Sequence, residues 1–272
     1  MANEFVLQEY MESLAKMRLI DDTLMRKAFE NNIPATETLL HIILENDKIK
    51  VVKSYSQYSV TNLFGHSVQL DVLAKDEQGR FFNVEVQSAG KGAPPQRARY
   101  YAGVVDTNHF PKSKDYHALF DTYVIFITEQ DILGEGRPIY HIKRTIAESG
   151  NDFGDGSHII YVNAELCHED TALSKLMHDF LCTDPKDMYY ATLKNRVKYY
   201  KETEEGIQTM CEIMDSIRAK GRKEAGASTV IKMLKAGEPL QKIMDYSDTT
   251  QEEVFKIAQD NGLPLPAAFT VK

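Results

Sequence analysis

The sequence is poor in everything that marks a membrane, secreted or zinc-dependent protein. No apolar run approaches the ~18 residues needed to cross a bilayer, so no membrane partner is expected. The opening stretch MANEFVLQEYMESLAKMRL has no basic start followed by an apolar core. No secretory signal is therefore expected, and the cytoplasm is the expected compartment. Cysteine is scarce. Cys167, Cys182 and Cys211 are odd in number and widely spaced, with no CxxC pair and no zinc pattern, which fits three reduced thiols. The eight histidines form neither HxH nor HExxH, and His109, His117, His141 and His158 read as packed or surface side chains. Positive charge is short too. The formal net charge of -8 argues against a protein that coats nucleic acid through a broad basic surface. It does not exclude an enzyme that gathers carboxylates in one metal site and has a local basic patch.

What is there is ordinary for a globular chain, with 43% hydrophobic and 26% charged residues. Residues from about Leu14 to Glu45 read as two helices. Leu24, Met25, Ala28 and Phe29 line the first, Pro34 breaks it, and Thr36 or a neighbour caps a second carrying Leu39, Leu40, Ile42, Ile43 and Leu44. A β-rich block follows. Ile49 to Val60 is rich in Val, Tyr and Ser, His66 to Lys75 alternates through Val68, Leu70, Val72 and Ala74, and Arg80 to Gln87 through Phe82, Val84 and Val86. A Gly/Pro loop (AGKGAPP) leads into a helix from Pro95 to Thr107, and further strands are expected at 123–128, 138–144 and 158–163. Ala172 to roughly Arg222 reads as wholly helical, IRAKGRKEAGAS as a linker or frayed helix, and Ser228 to Asn261 as three short helices. DFGDG at 152–156 lacks the spacing of a calcium loop and reads as a turn. The order helix, three strands, helix, strand predicts an α/β fold whose meander and later strand share one sheet.

The informative segment is HSVQLDVLAKDEQGRFFNVEVQ. If Glu77-Gln78-Gly79 is a three-residue hairpin loop with Gly79 left-handed, Asp76 pairs with Arg80 and paired numbers sum to 156. Asp71 then lies directly opposite Glu85, with Cβ atoms about 5 Å apart. Two carboxylates so close repel unless something positive lies between them, and a divalent cation with oxygen ligands is the natural occupant. Glu85 and Gln87 share a face because side chains alternate along a strand. The three converge on a patch where carboxylates hold the ion, the ion acidifies water, and the third polar group positions it. The competing reading is of solvated acids on the outer face of an amphipathic hairpin.

These residues resemble a known pattern, that of the PD-(D/E)XK nucleases, which place an Asp on one strand and acid-x-Lys on the next strand of a hairpin. More closely, the chain is similar to the recombination-promoting nuclease/transposase family of that superfamily, in which Gln commonly takes the Lys position. The matching stretches are LIDDTLMRKAF, ETLLHIIL, SVQLDVLAKDEQGRFFNVEVQ, QRARYY, TYVIFIT, PIYHIKR, HIIYVN and LMHDF, from about Arg18 to Glu205. The resemblance implies an α/β fold with a restriction-endonuclease-like core, a mixed sheet with a β-meander flanked by helices. That core is expected over residues 1–205, with a helical C-terminal region over 206–272. It implies a metal-dependent endonuclease that hydrolyses DNA phosphodiesters and promotes recombination, with Mg²⁺ or Mn²⁺ as cofactor. Asp71 and Glu85 become the metal ligands, Gln87 and Glu37 further catalytic residues, and Asp22 a lesser candidate. Gln cannot lend positive charge to a transition state, and only orients water or substrate by hydrogen bonds.

Lys91, Gln96, Arg97, Arg99 and Tyr100, around the start of the helix after the acid strand, form the best local basic spot for DNA backbone phosphates. Taken alone, they read rather as an ordinary solvated helix face with Tyr100 or Tyr101 packed in the core; placed directly after the acid strand, the two readings balance. The tail VIKMLKAGEPLQKIMDYSDTTQEEVFKIAQ has a helix–turn–helix rhythm, but its last helix offers Gln251, Glu252, Glu253 and only Lys256. It therefore reads better as a packing or oligomerisation appendage than as a DNA-reading helix. A homodimer is compatible with the sequence. The rival to the nuclease is a non-catalytic DNA-binding or protein-interaction module on a degenerate nuclease fold.

Overall fold

Alternating apolar residues at 68–74 and 81–87 fold into the centre of a sheet. The structure, a computed structural model, describes residues 2–61, 66–88, 92–166 and 170–265. The chain divides into two compact units, Met1–Ile207 and Gln208–Lys272.

In the first unit, β1 (Val51–Val60), β2 (Val68–Asp76) and β3 (Phe81–Gln87) form an antiparallel meander. They are followed by β4 (Thr122–Thr128), β5 (Ile139–Ile142) and β6 (Ser157–Asn163). The six strands lie in the order β1-β2-β3-β4-β6-β5. β4 runs parallel to β3 and β6 parallel to β4, while β5 is antiparallel to β6. Helices α1 (Ala2–Lys16), α2 (Asp22–Phe29) and α3 (Ile33–Ile43) precede the sheet, α4 (Pro95–His109) joins β3 to β4, and α5 (Ala172–Leu181) and α6 (Ala191–Glu202) follow it. This is the mixed, helix-flanked α/β sheet expected from the sequence.

The central strand β3 is buried at every position because both its faces are covered. α4 packs over one face, where Phe81, Val124, Phe126 and Tyr161 meet Tyr101, Ala102 and Val105. α2 lies against β1, β2 and β3, and α3 against β1. The apolar stripe Leu24, Met25, Ala28 and Phe29 of α2 is buried as its spacing predicts.

Several sequence expectations are corrected. The helix from Ala2 to Lys16 was not foreseen. Thr36 is not the cap of α3. Asn32 is, its side chain accepting the Ala35 N–H, and Pro34 sits in the first turn, where a missing N–H costs nothing. Thr36 is instead buried, bonded to Ser54. The helical run after Ala172 is broken between Leu181 and Ala191, where the buried carboxylate of Asp179 accepts the N–H groups of Tyr189 and Tyr190. The supposed linker IRAKGRKEAGAS lies inside one continuous helix, α7 (Glu204–Lys235). Cys182 and Cys211 are free thiols, and Cys167 lies outside the described residues.

The second unit buries Val230 and Leu234 of α7 against Leu240 and Ile243 of α8 (Leu240–Ser247) and Val254 and Ala258 of α9 (Gln251–Asp260). Thr250 and Glu253 form a capping box at the start of α9. Gly226 explains the glycine content that mimics a linker. A Cβ there would lie 2.8 Å from the Ser247 carbonyl oxygen, so α7 needs glycine to approach the α8–α9 turn. Gly226→Ala is expected to destabilise this unit by about 1–3 kcal/mol through overpacking. Gly221→Ala, which meets nothing within 4 Å, should be neutral or slightly stabilising. Hydrogen exchange of the α8 and α9 amides in the full chain distinguishes the two.

Candidate active site

The hairpin register is the one the turn dictates. Gly79 has φ 85° and Asp76 N–H bonds the Arg80 carbonyl at 3.2 Å. The β2–β3 ladder then runs from Lys75↔Phe81 to Val72↔Val84 and stops. One step further, carboxylates take over from main-chain carbonyls. Asp71 N–H donates to Glu85 Oε1 at 3.2 Å, and Val86 N–H donates to Asp71 Oδ2 at 3.0 Å. The two acids thus meet where the strands part; Asp71 lines a polar cleft of about 280 Å³, whereas Glu85 is fully buried and does not reach it. Gln57, Gln87 and Arg97 also line it, as do Asp22 and Arg26, which form an ion pair at 2.8 Å.

A cation is already present. The guanidinium of Arg97, in the first turns of α4, uses all three nitrogens. Nη2 donates to Glu85 Oε2 at 3.1 Å, Nη1 to Gln87 Oε1 at 3.0 Å and Nε to Tyr101 Oη at 2.8 Å. It also stands 5.0 Å from the Tyr101 ring centroid and 5.7 Å from that of Phe126. The planar fork is thereby fixed in direction, which a lysine ammonium on a flexible stem would not be.

Burial holds the Glu85 carboxyl far above its ordinary value of 4.5, at about 8, with the Asp71 charge adding and the Arg97 charge opposing. Burial likewise raises Asp71, helped by the Asp22 charge and countered by the Val86 N–H. The protonated form of Glu85 is thus favoured on folding. Its contribution to stability is complete below about pH 4.5 and is lost as pH rises towards about 8. The melting temperature of metal-free protein should accordingly fall across that window. In Glu85→Gln, which does not ionise, the fall should be smaller. An equal fall in both would show that Glu85 carries no such strain.

The other expected site residues are divided by the structure. Glu37 is not brought to the acid pair, which corrects that expectation. Its Oε1 accepts the Val51 N–H at the first residue of β1, beside Asp76. That is six residues from Gln57, about 20 Å along the strand. Asp22, the lesser candidate, is the helix acid that reaches the cleft. Lys91 lies outside the described residues. Gln96, Arg99 and Tyr100 are exposed on α4 and line a neighbouring cavity of about 470 Å³ together with His66, whose carbonyl accepts the Tyr100 hydroxyl at 2.6 Å. Sequence reasoning missed Gln57, whose Nε2 donates to Asp71 Oδ1 at 3.2 Å. Only the pairing of β1 with β2 reveals it.

Among the described residues no three His, Cys, Asp or Glu side chains converge as a metal cage. The Asp71 carboxylate on a polar cleft, with the buried Glu85 carboxyl bonded to the Asp71 N–H, nevertheless suits a hard cation of the magnesium type, which commonly takes one or two protein carboxylates and leaves its other positions to water and substrate phosphate. Asp71 and Glu85 would hold it. Among the described residues no helix is long and apolar enough to cross a membrane.

A family model described as PD-(D/E)XK nuclease family transposase matches residues 26–235, well over half of the chain and including the whole hairpin. No curated protein and no solved structure matches significantly.

Proposed function

Because the chain belongs to the PD-(D/E)XK nuclease family transposases, a family that generally uses divalent metals, we propose that it is a metal-dependent DNA endonuclease that hydrolyses phosphodiester bonds, with Mg²⁺ or Mn²⁺. The observation that carries this reading is the meeting of Asp71 and Glu85 at the fork of β2 and β3, with Arg97 clamped beside them. The bound cation would neutralise the acid pair, acidify the attacking water and counter the charge that develops on the phosphate. Asp71 and Glu85 would hold it. Gln87, fixed by Arg97 through Oε1, orients water or the scissile phosphate by hydrogen bonds alone. Arg97 brings the fixed positive charge that glutamine at 87 lacks. Arg99, Gln96 and Tyr100, with Lys91, grip the backbone of the DNA next to the cut. A role in recombination is the consequence of such cutting. Asp22, rather than Glu37, assists from α2.

A second reading has its own support. Glutamine in place of lysine and an acidic chain suit a module that binds DNA or protein without cutting. Nicking of supercoiled plasmid with Mg²⁺ or Mn²⁺, run beside DNA binding by gel shift, decides between them. The endonuclease should nick with metal, stop with a chelator and fail as Asp71→Ala. Binding without cleavage at any metal concentration would sink the enzyme reading in favour of the module.

A further inference from the structure

We propose that Gln57 supplies a third, uncharged oxygen to the divalent cation held by Asp71 and Glu85, an inference that rests on the metal-dependent reading above. The β1–β2 register has Ser56↔Val72 and Tyr58↔Leu70, so Gln57 stands opposite Asp71. Its backbone is left-handed, with φ 56° in the middle of a strand. Among the described residues, the other non-glycine residues of positive φ are Asn31, Glu45 and Asp248, each just beyond a helix, where this conformation commonly ends the helix. Gln57 has no such local reason. A side-chain-bearing residue adopts this conformation at a cost, and such costs gather where surrounding structure or function imposes them.

The amide shows what the conformation achieves. The Nε2 group donates to Asp71 Oδ1 at 3.2 Å, which fixes which end of the amide faces the acid. The Oε1 atom is left buried with no hydrogen-bond partner, and Gln57 lines the same cleft as Asp71, Gln87 and Arg97. A buried carbonyl oxygen without a donor calls for a missing partner. Both arginines that line the cleft are already committed, since all three Arg97 nitrogens bond elsewhere and Arg26 pairs with Asp22. Divalent cations of the magnesium and manganese type accept amide carbonyl oxygens alongside carboxylates.

The test is Mn²⁺ binding to the full chain, followed by calorimetry and electron paramagnetic resonance, in wild type, Gln57→Gly, Gln57→Glu and Asp71→Asn. Glycine takes positive φ without strain, so Gln57→Gly should fold with an unchanged or higher metal-free melting temperature. It should bind Mn²⁺ about tenfold more weakly, whereas Gln57→Glu should bind about tenfold more tightly. A residue that only shapes the strand would leave the affinity of Gln57→Gly at the wild-type value, whereas the charge added in Gln57→Glu raises affinity in either case. Wild-type affinity in Gln57→Gly, with binding lost in Asp71→Asn, overturns the role of Gln57 and leaves the nuclease reading standing. Wild type that binds no Mn²⁺, or Asp71→Asn that binds like wild type, overturns the nuclease reading and this inference together.

Discussion

Asp71→Asn is expected to lower metal-dependent nicking by about a thousandfold or more while leaving the metal-free protein at least as stable as wild type at pH 8. Asparagine keeps a carbonyl oxygen to accept the Val86 N–H, so the fork between β2 and β3 stays closed. It removes the charge on which cation binding depends. It also removes the charge that, after burial, does most to raise Glu85, so the Glu85 carboxyl should fall from about 8. Opposite signs for activity and stability mark a residue retained for chemistry. Melting curves with a chelator, set beside nicking rates with Mg²⁺, give both quantities. Nicking within tenfold of wild type would remove Asp71 from the metal site.

Arg97→Ala should cost about a hundredfold to a thousandfold in cleavage, the range for deleting one preorganised charge-stabilising group. Arg97→Lys should recover only part of that loss. A single ammonium does not hold Glu85 Oε2, Gln87 Oε1 and Tyr101 Oη at once, as the guanidinium does. Without Arg97 the counter-charge on Glu85 is lost as well, so its carboxyl should climb further and the activity profile should shift to higher pH. Arg99 provides the contrast. It is exposed and lines the cavity beside the cleft. Arg99→Ala should weaken DNA binding modestly and reduce its salt dependence by about one phosphate contact, with the pH profile unmoved. Equal behaviour of the two alanine variants would mean that Arg97 is only another phosphate contact.

The hairpin was legible because its information is local. The DEQGR turn, one glycine and strict alternation are enough to set the register, and the register alone opposes Asp71 to Glu85. Glu37 and Asp22 were not legible in the same way. Each is an acid on an amphipathic helix, and which of them reaches the cleft depends on how α2 and α3 lie against β1. Arg97 stood among Lys91, Gln96, Arg99 and Tyr100 as one of several basic or polar side chains. Only the docking of α4 over the Phe81–Val124–Phe126 face turns Arg97 to the acids and Arg99 away. In α7, Gly221 and Gly226 resembled a linker, because glycine that is needed for close helix packing and glycine that loosens a chain are the same letter.

What the sequence determined by itself is therefore whatever follows from neighbours along the chain: the turn, the alternation, the buried stripe of α2, and the pair of acids on one hairpin. The tertiary structure alone decided what depends on segments far apart in sequence. It placed the Arg97 guanidinium on Glu85 and Gln87, set Gln57 of β1 against Asp71, and sent Glu37 to the far end of that strand. The physical reason is that a strand's period orders side chains within a hairpin. It carries no information about which helix or third strand the packing of the core will press against it.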